Sequence, residues 1–359
     1  NAVVLNGLST LAISLFLLVA GMEVDLSAVW RRGKSAFMVG AAGVIFPFAL
    51  GFSLAWVAPG SLHAEQGSNP LIFALFIAVV LSITALPVIV RILMDLNLYH
   101  SDIGMIIVSA AVFDDIAGWI VFGTILGMMG GSQGNGLGIV PLILLTLGFT
   151  ALVLTVGRWL IHRSFGWLLD RPMWSGGILG FSLSLGLFSA ALTELMGIHA
   201  IFGSFLMGVA IGDSSHLKKQ TRSTISQFIA FIFAPLFFAT IGLRIDFAAH
   251  FNGLLVLILL GVTLAGKIPG CALGARLSGL PWREAWAIGL GMIAKGMMGI
   301  VLGLLALQNR VINETLFVAI IITSLVTSMM CGPLMQRVLR RKGNAPGYEM
   351  EAGYRTQDS

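Results

Sequence analysis

Apolar runs separated by short polar stretches organise the whole chain. Eleven can be traced, at approximately 3–21, 35–57, 71–93, 103–130, 137–161, 174–195, 199–212, 225–243, 252–276, 284–307 and 313–336. A helix needs about 20 apolar residues to cross the hydrocarbon of a bilayer, and most of these runs reach that length. The pattern predicts an all-α polytopic membrane protein, with one transmembrane domain over 1–342 and a polar tail over 343–359. The loops between the runs are too short to hold a soluble domain.

The basic residues orient these spans. They gather in alternate loops: Arg31, Arg32 and Lys34; Arg91; Arg158, Arg163 and Arg171; Lys218, Lys219 and Arg222; Arg276 and Arg283. The tail region adds Arg337, Arg340, Arg341, Lys342 and Arg355, whereas the loops on the other side hold only Arg244 and Arg310. Cytoplasmic loops carry the excess of lysine and arginine. Asn1 is therefore expected outside and the C-terminus in the cytoplasm. The two remaining lysines, Lys267 and Lys295, fall within spans.

A short echo links the two halves. Ala20-Gly21-Met22-Glu23-Val24-Asp25-Leu26 ends the first span, and Ile241-Gly242-Leu243-Arg244-Ile245-Asp246-Phe247 ends the eighth. Seven spans separate the copies, so they lie on opposite sides of the membrane, as inverted-topology repeats do. The offset predicts a first repeat in 1–130, a linker helix at 137–161 and a second repeat in 174–336. It also predicts two further spans upstream of Asn1.

Composition narrows the classes. Hydrophobic residues make up 57% of the 359 positions and charged residues only 10%, against about 25% charged in soluble domains. The net charge of +5 follows topology, so no nucleic-acid partner is expected. Cys271 and Cys331 lie inside apolar spans and offer neither a disulfide framework nor metal spacing. No basic stretch or cleavage site precedes the first run, which is therefore not a signal peptide.

The chemistry sits in the middle of the spans. Asp114 and Asp115 lie near the centre of the fourth, where one acid costs about 2.5–3.5 kcal/mol on insertion scales. Neighbours on a helix point about 100° apart, so the two cannot share a proton as a protease dyad does. One is expected to pair with Lys267 of the ninth span, which would lose its proton if buried alone. The other is expected to face an aqueous cavity. The third span reads Leu81-Ser82-Ile83-Thr84-Ala85-Leu86-Pro87-Val88, and its proline deletes a helix donor. Its partner by the repeat, the tenth, carries Gly289, Gly291, Lys295, Gly296 and Gly299. Interrupted spans at matching positions of two repeats point to a transporter site. Lys295 there could offset the end dipoles of two broken helices, and carboxylates with the Thr84 hydroxyl suit a small hard cation. Glu194 reads as a solvated helix end, Ser109 and Ser324 as packing hydroxyls, and the six histidines as surface residues.

Ser82-Ile83-Thr84-Ala85-Leu86-Pro87-Val88, followed by Ala110-Ala111-Val112-Phe113-Asp114-Asp115-Ile116-Ala117-Gly118-Trp119-Ile120, resembles the sodium/proton exchanger domain. The likeness is to the second monovalent cation:proton antiporter subgroup of the cation/proton antiporter superfamily. Gly197 to Gly208, Gly242-Leu243-Arg244 and Lys267 are similar as well. The resemblance implies a thirteen-helix inverted-repeat fold with two crossed discontinuous helices, eleven of its spans present here. It also implies a homodimer with elevator-like alternating access in the bacterial inner membrane. Residue by residue, it implies Asp115 as the carrier of cation and proton, Asp114 as the partner of Lys267, Thr84 beside the ion, and Lys295 at a position often basic. The transported partners would be protons and monovalent cations, most of all sodium, with no cofactor. A potassium/proton antiporter and a sodium-coupled organic-anion symporter are the alternatives. The adjacent aspartates resemble the electrogenic branch, and no cytoplasmic nucleotide-binding domain is present in the sequence.

Overall fold

A computed structural model describes residues 2–24, 33–65, 67–130, 139–169, 177–214 and 219–340. Asp25, Arg31, Arg32, Arg171, Lys218, Arg341, Lys342, Arg355 and the tail lie outside them. The described chain is helical: α1 (Ala2–Met22), α2 (Gly33–Val57), α3 (Pro70–Ser82), α4 (Leu86–Asp95), α5 (Asp102–Gly130), α6 (Ile139–Leu152), α7 (Arg158–Leu169) and α8 (Gly177–Leu195). There follow α9 (Ala200–Gly212), α10 (Lys219–Arg244), α11 (Gly253–Leu277), α12 (Trp282–Gly291), α13 (Gly296–Gln308) and α14 (Glu314–Arg340). Among these residues no strand forms, and a lone bridge joins Ala64 to Ile312. Among the described residues seven helical segments are long and apolar enough to cross a membrane, and three shorter apolar ones accompany them.

Asparagines start several helices. The side chain of Asn69 accepts from Leu71 N (2.9 Å), that of Asn252 from Leu255 N (3.1 Å) and that of Asn313 from Leu316 N (2.9 Å). Each satisfies an amide that a helix start leaves without a partner.

Two of the predicted spans are interrupted. The run at 71–93 is α3 and α4, with Ile83 and Ala85 extended between them. Pro87 explains the gap: its ring would clash with the carbonyl four residues earlier, that of Ile83. The run at 284–307 is α12 and α13, parted at Met292–Lys295. No proline stands there. Instead Gly296 takes φ +51°, a backbone region that glycine enters without penalty. The run at 137–161 also deviates, with a π turn over Val153–Gly157 between α6 and α7.

The helices pack in two groups. In one, α1 lies against α9, α10 and α8. In the other, α11 and α3 lie against α2, and α5, α4, α12, α13 and α14 complete the cluster. The segment from α6 to α7 leads from α5 to the first group, where Arg158 forms an ion pair with Asp213 at the end of α9. Trp119 of α5 stacks on Phe205 of α9 across the boundary, with centroids 5.0 Å apart.

Small residues set the closest approach in the second group. A Cβ on Gly266 would stand 2.6 Å from the Pro47 Cα, and one on Gly270 2.8 Å from the Ala42 carbonyl. Glycines one turn apart thus let the α2 and α11 backbones touch, as in tightly packed membrane helices. The contact carries Lys267, between these glycines, into the interior.

Candidate functional site

The two interruptions meet. The Ala85 amide between α3 and α4 donates to the Ala294 carbonyl between α12 and α13 at 2.8 Å. Each broken helix leaves main-chain carbonyls without intrahelical partners, and two lysines take those at the end of α3. Lys295 Nζ donates to the Val80 carbonyl at 2.7 Å, and Lys267 Nζ donates to that of Ser82. Both Nζ atoms therefore sit at the negative end of the α3 dipole.

Asp114 joins the same cluster from α5. Its Oδ2 accepts from Lys267 Nζ at 2.5 Å and also from the Thr84 hydroxyl. Thr84 Oγ1 lies 3.3 Å from the Met292 carbonyl, so one side chain touches both interruptions and the acid. Asp114 and Thr84 are fully buried, and Lys267 is 1% exposed. A buried ion pair is held only where further hydrogen bonds satisfy it, and here Thr84 and Ser82 provide them.

Asp115 has a different environment. It is buried too, and its carboxylate accepts the Leu86 amide, the first of α4. Asp115 Oδ1 has no hydrogen-bond partner, and neither has Asp114 Oδ1. Each aspartate thus keeps one buried carboxylate oxygen without a partner, the donor type that a hard cation or a proton takes.

A cavity of about 210 Å³ approaches this site between the two helix groups. Its walls are mostly apolar, with Phe16, Val19 and Glu23 on one side and Ala85, Pro87, Val88 and Met298 on the other. The aspartates themselves do not line it. Its inner end flanks Leu86, whose amide holds Asp115.

All five sequence-predicted site residues, Thr84, Asp114, Asp115, Lys267 and Lys295, thus converge on one junction. The sequence reading set Thr84 at the break beside the ion, and the structure bonds its hydroxyl to Asp114. It did not anticipate the Leu86 amide, because main-chain donors leave no mark in residue types. Glu194 is exposed at the end of α8, as its reading as a solvated helix end expects, and its Oε2 also accepts the Ala200 amide at 2.8 Å, at the start of α9. Beside it, burial lowers the His199 imidazole from its ordinary pKa, while the Glu194 carboxylate raises it.

Comparison with known proteins then decides the family. A family profile described as "Sodium/hydrogen exchanger, transmembrane" matches residues 1–341. The chain belongs to this sodium/hydrogen exchanger family. Its members are membrane transporters, not enzymes. Cation/H(+) antiporter 20 of Arabidopsis thaliana is 31% identical over 353 residues, 94% of this chain and 41% of that protein. The chain thus spans about two-fifths of the plant relatives it matches. The Na(+)/H(+)-K(+) antiporter GerN of Bacillus cereus is 27% identical over 346 residues, 96% of this chain and 86% of that one. Among solved structures, the sodium proton antiporter MjNhaP1 of Methanocaldococcus jannaschii superposes with a TM-score of 0.68 at 14% identity. That match covers 93% of this chain and 84% of that one, and it shows a shared polytopic antiporter fold.

Proposed function

We propose that the chain is a secondary antiporter that exchanges a monovalent cation, sodium first, for protons by alternating access. The observation that carries this is the buried Lys267–Asp114 pair beside Asp115, whose Oδ1 is unpartnered, at the junction of two broken helices. A cation taken up at Asp115 displaces its proton. It also competes with Lys267 for Asp114, and the ammonium, left desolvated, gives up its own proton. On the opposite face the order reverses. Two protons against one sodium move one net charge per cycle, worth about 2.3 kcal/mol per 100 mV. A potential negative inside then drives extrusion.

Access follows from the two helix groups. The cavity between them stops behind Leu86, so sliding one group past the other would carry the site from one face to the other. Each group draws on both halves of the chain: α1 with α10, and α2 to α5 with α11 to α14. This arrangement supports the inverted repeat, the eleven-span count and the domain division of 1–130, 137–161 and 174–336. The basic loops support a cytoplasmic C-terminus, and the resemblance supports a homodimer in a bacterial inner membrane. Potassium is the second candidate cation, since the related GerN is named for both sodium and potassium.

Fluorescence dequenching in proteoliposomes tests the proposal, with sodium, lithium and potassium in turn and with an imposed potential. Sodium-driven proton movement that responds to the potential is the expected result. Uptake of sodium without proton movement overturns it and favours a symporter or a passive channel.

A further inference from the structure

Glu23 stands one residue beyond the end of α1, half-buried, its amide tied to the carbonyls of Val19 and Ala20. It lines the cavity described above. It also lines a second cavity of about 210 Å³, which shares Val19, Glu23 and Ser226 with the first and adds Met22, Arg222 and Ser223. The inner cavity leads to Ala85 and Pro87, on either side of the peptide that holds Asp115. The outer one is the more polar. Glu23 is the charged residue common to both, and so marks the point where a polar mouth becomes an apolar passage.

A cation entering an apolar passage loses hydration before it gains any ligand, which is costly without a compensating charge. Two charged groups act on Glu23 from the elements around it. Arg222 of α10 faces it, with its guanidinium donating to the Gly212 carbonyl at the end of α9. Asp115 of α5 also feels its charge. One carboxylate thus stands before the apolar passage and another lies behind it. The fixed guanidinium keeps the first from holding a cation too firmly.

We propose that Glu23 is a waiting site for the exchanged cation, a carboxylate at the cavity mouth that captures it from solution and releases it toward Asp115. The proposal rests on the antiport reading above. It assigns Arg222 the tuning of that capture and gives the mouth a role separate from the Asp114–Asp115 site.

Exchange by the full chain in proteoliposomes, with sodium titrated on the face that bears Glu23, tests it. A mouth of one charge sign raises counter-ion concentration and on-rate by about 10–10³-fold. Glu23→Gln is therefore expected to raise the apparent KM for sodium several-fold, with a much smaller fall in maximal rate. Glu23→Asp, one methylene shorter, is expected to fall between it and wild type, and Arg222→Gln to lower KM. A structural ion pair alone would change protein yield and Tm and leave KM and its pH profile in place; that result overturns the proposal. If Glu23→Gln does not fold, the KM of Glu23→Asp decides the matter in the same way. Wild-type vesicles without exchange overturn the antiport reading and this inference with it. Exchange in wild type with an unaltered Glu23→Gln overturns the inference alone.

Discussion

Lys267 reaches Asp114 from another helix, Nζ to Oδ2 at 2.5 Å, with each side chain 1% exposed. Removing one member of a buried pair strands the other charge and costs about 3–5 kcal/mol. Lys267→Met is therefore expected to lower the stability of the detergent-solubilised protein by about that amount. Lys267→Met with Asp114→Asn is expected to cost clearly less than the sum of the single changes. Urea or thermal unfolding of all four forms gives the coupling, and additive losses would show that the pair is not energetically linked.

Asp115 separates function from stability. Its recorded hydrogen-bond donor is the Leu86 amide, which an asparagine carbonyl can also accept from. Asp115→Asn is expected to abolish cation-driven proton movement while leaving Tm unchanged or higher, because it removes a buried charge. Dequenching and differential scanning on one preparation check both halves. Exchange surviving in this variant would move the carrier role to another group.

Gly296 is a backbone requirement at the second interruption. Its φ is +51°, and a Cβ there would lie 2.6 Å from Val88 Cγ2 and 2.8 Å from the Ala85 Cβ. Gly296→Ala combines strain at positive φ with overpacking, each worth about 1–3 kcal/mol. The variant is expected to lose stability and to slow exchange, whereas Gly7→Ala, with nothing within 4 Å of the added carbon, should change neither. Equal Tm values for the two variants would refute the role of the close contact.

The pH dependence of stability carries the signature of Glu23. Burial lifts its carboxyl above the usual glutamate value, and the Arg222 guanidinium partly offsets that. A group with a raised folded pKa contributes stability below the unfolded value, and the contribution is lost as pH rises through the folded one. Relative to wild type, Glu23→Gln is therefore expected to gain stability at neutral pH but not in acid. Tm measured for both proteins from acid to neutral pH reads the difference; a constant offset would mean that burial does not penalise the charge.

Much of this was legible in the residues. Charged side chains in apolar runs are rare enough that Asp114, Asp115 and Lys267 identify themselves, and Pro87 marks the first interruption. The second interruption was readable from the glycines around Lys295, though not its boundaries, which depend on the positive φ of Gly296. The Leu86 amide and the carbonyls of Val80 and Ser82 were illegible, because main-chain groups are the same at every position. Glu23 was illegible for a different reason. An acid just past an apolar run is ordinarily solvated, and only the packing of α10 and α4 around it closes the cavity.

The bond from Ala85 to Ala294 has a mechanical consequence. It joins the two unwound stretches by their main chains, and Thr84 bridges the same stretches through its hydroxyl. Four half-helices are thereby tied into one block, so drawing one interruption away from the other means breaking a buried hydrogen bond between main chains. On the antiport reading proposed above, the cargo rides with the block instead of being released by ligands that open like jaws.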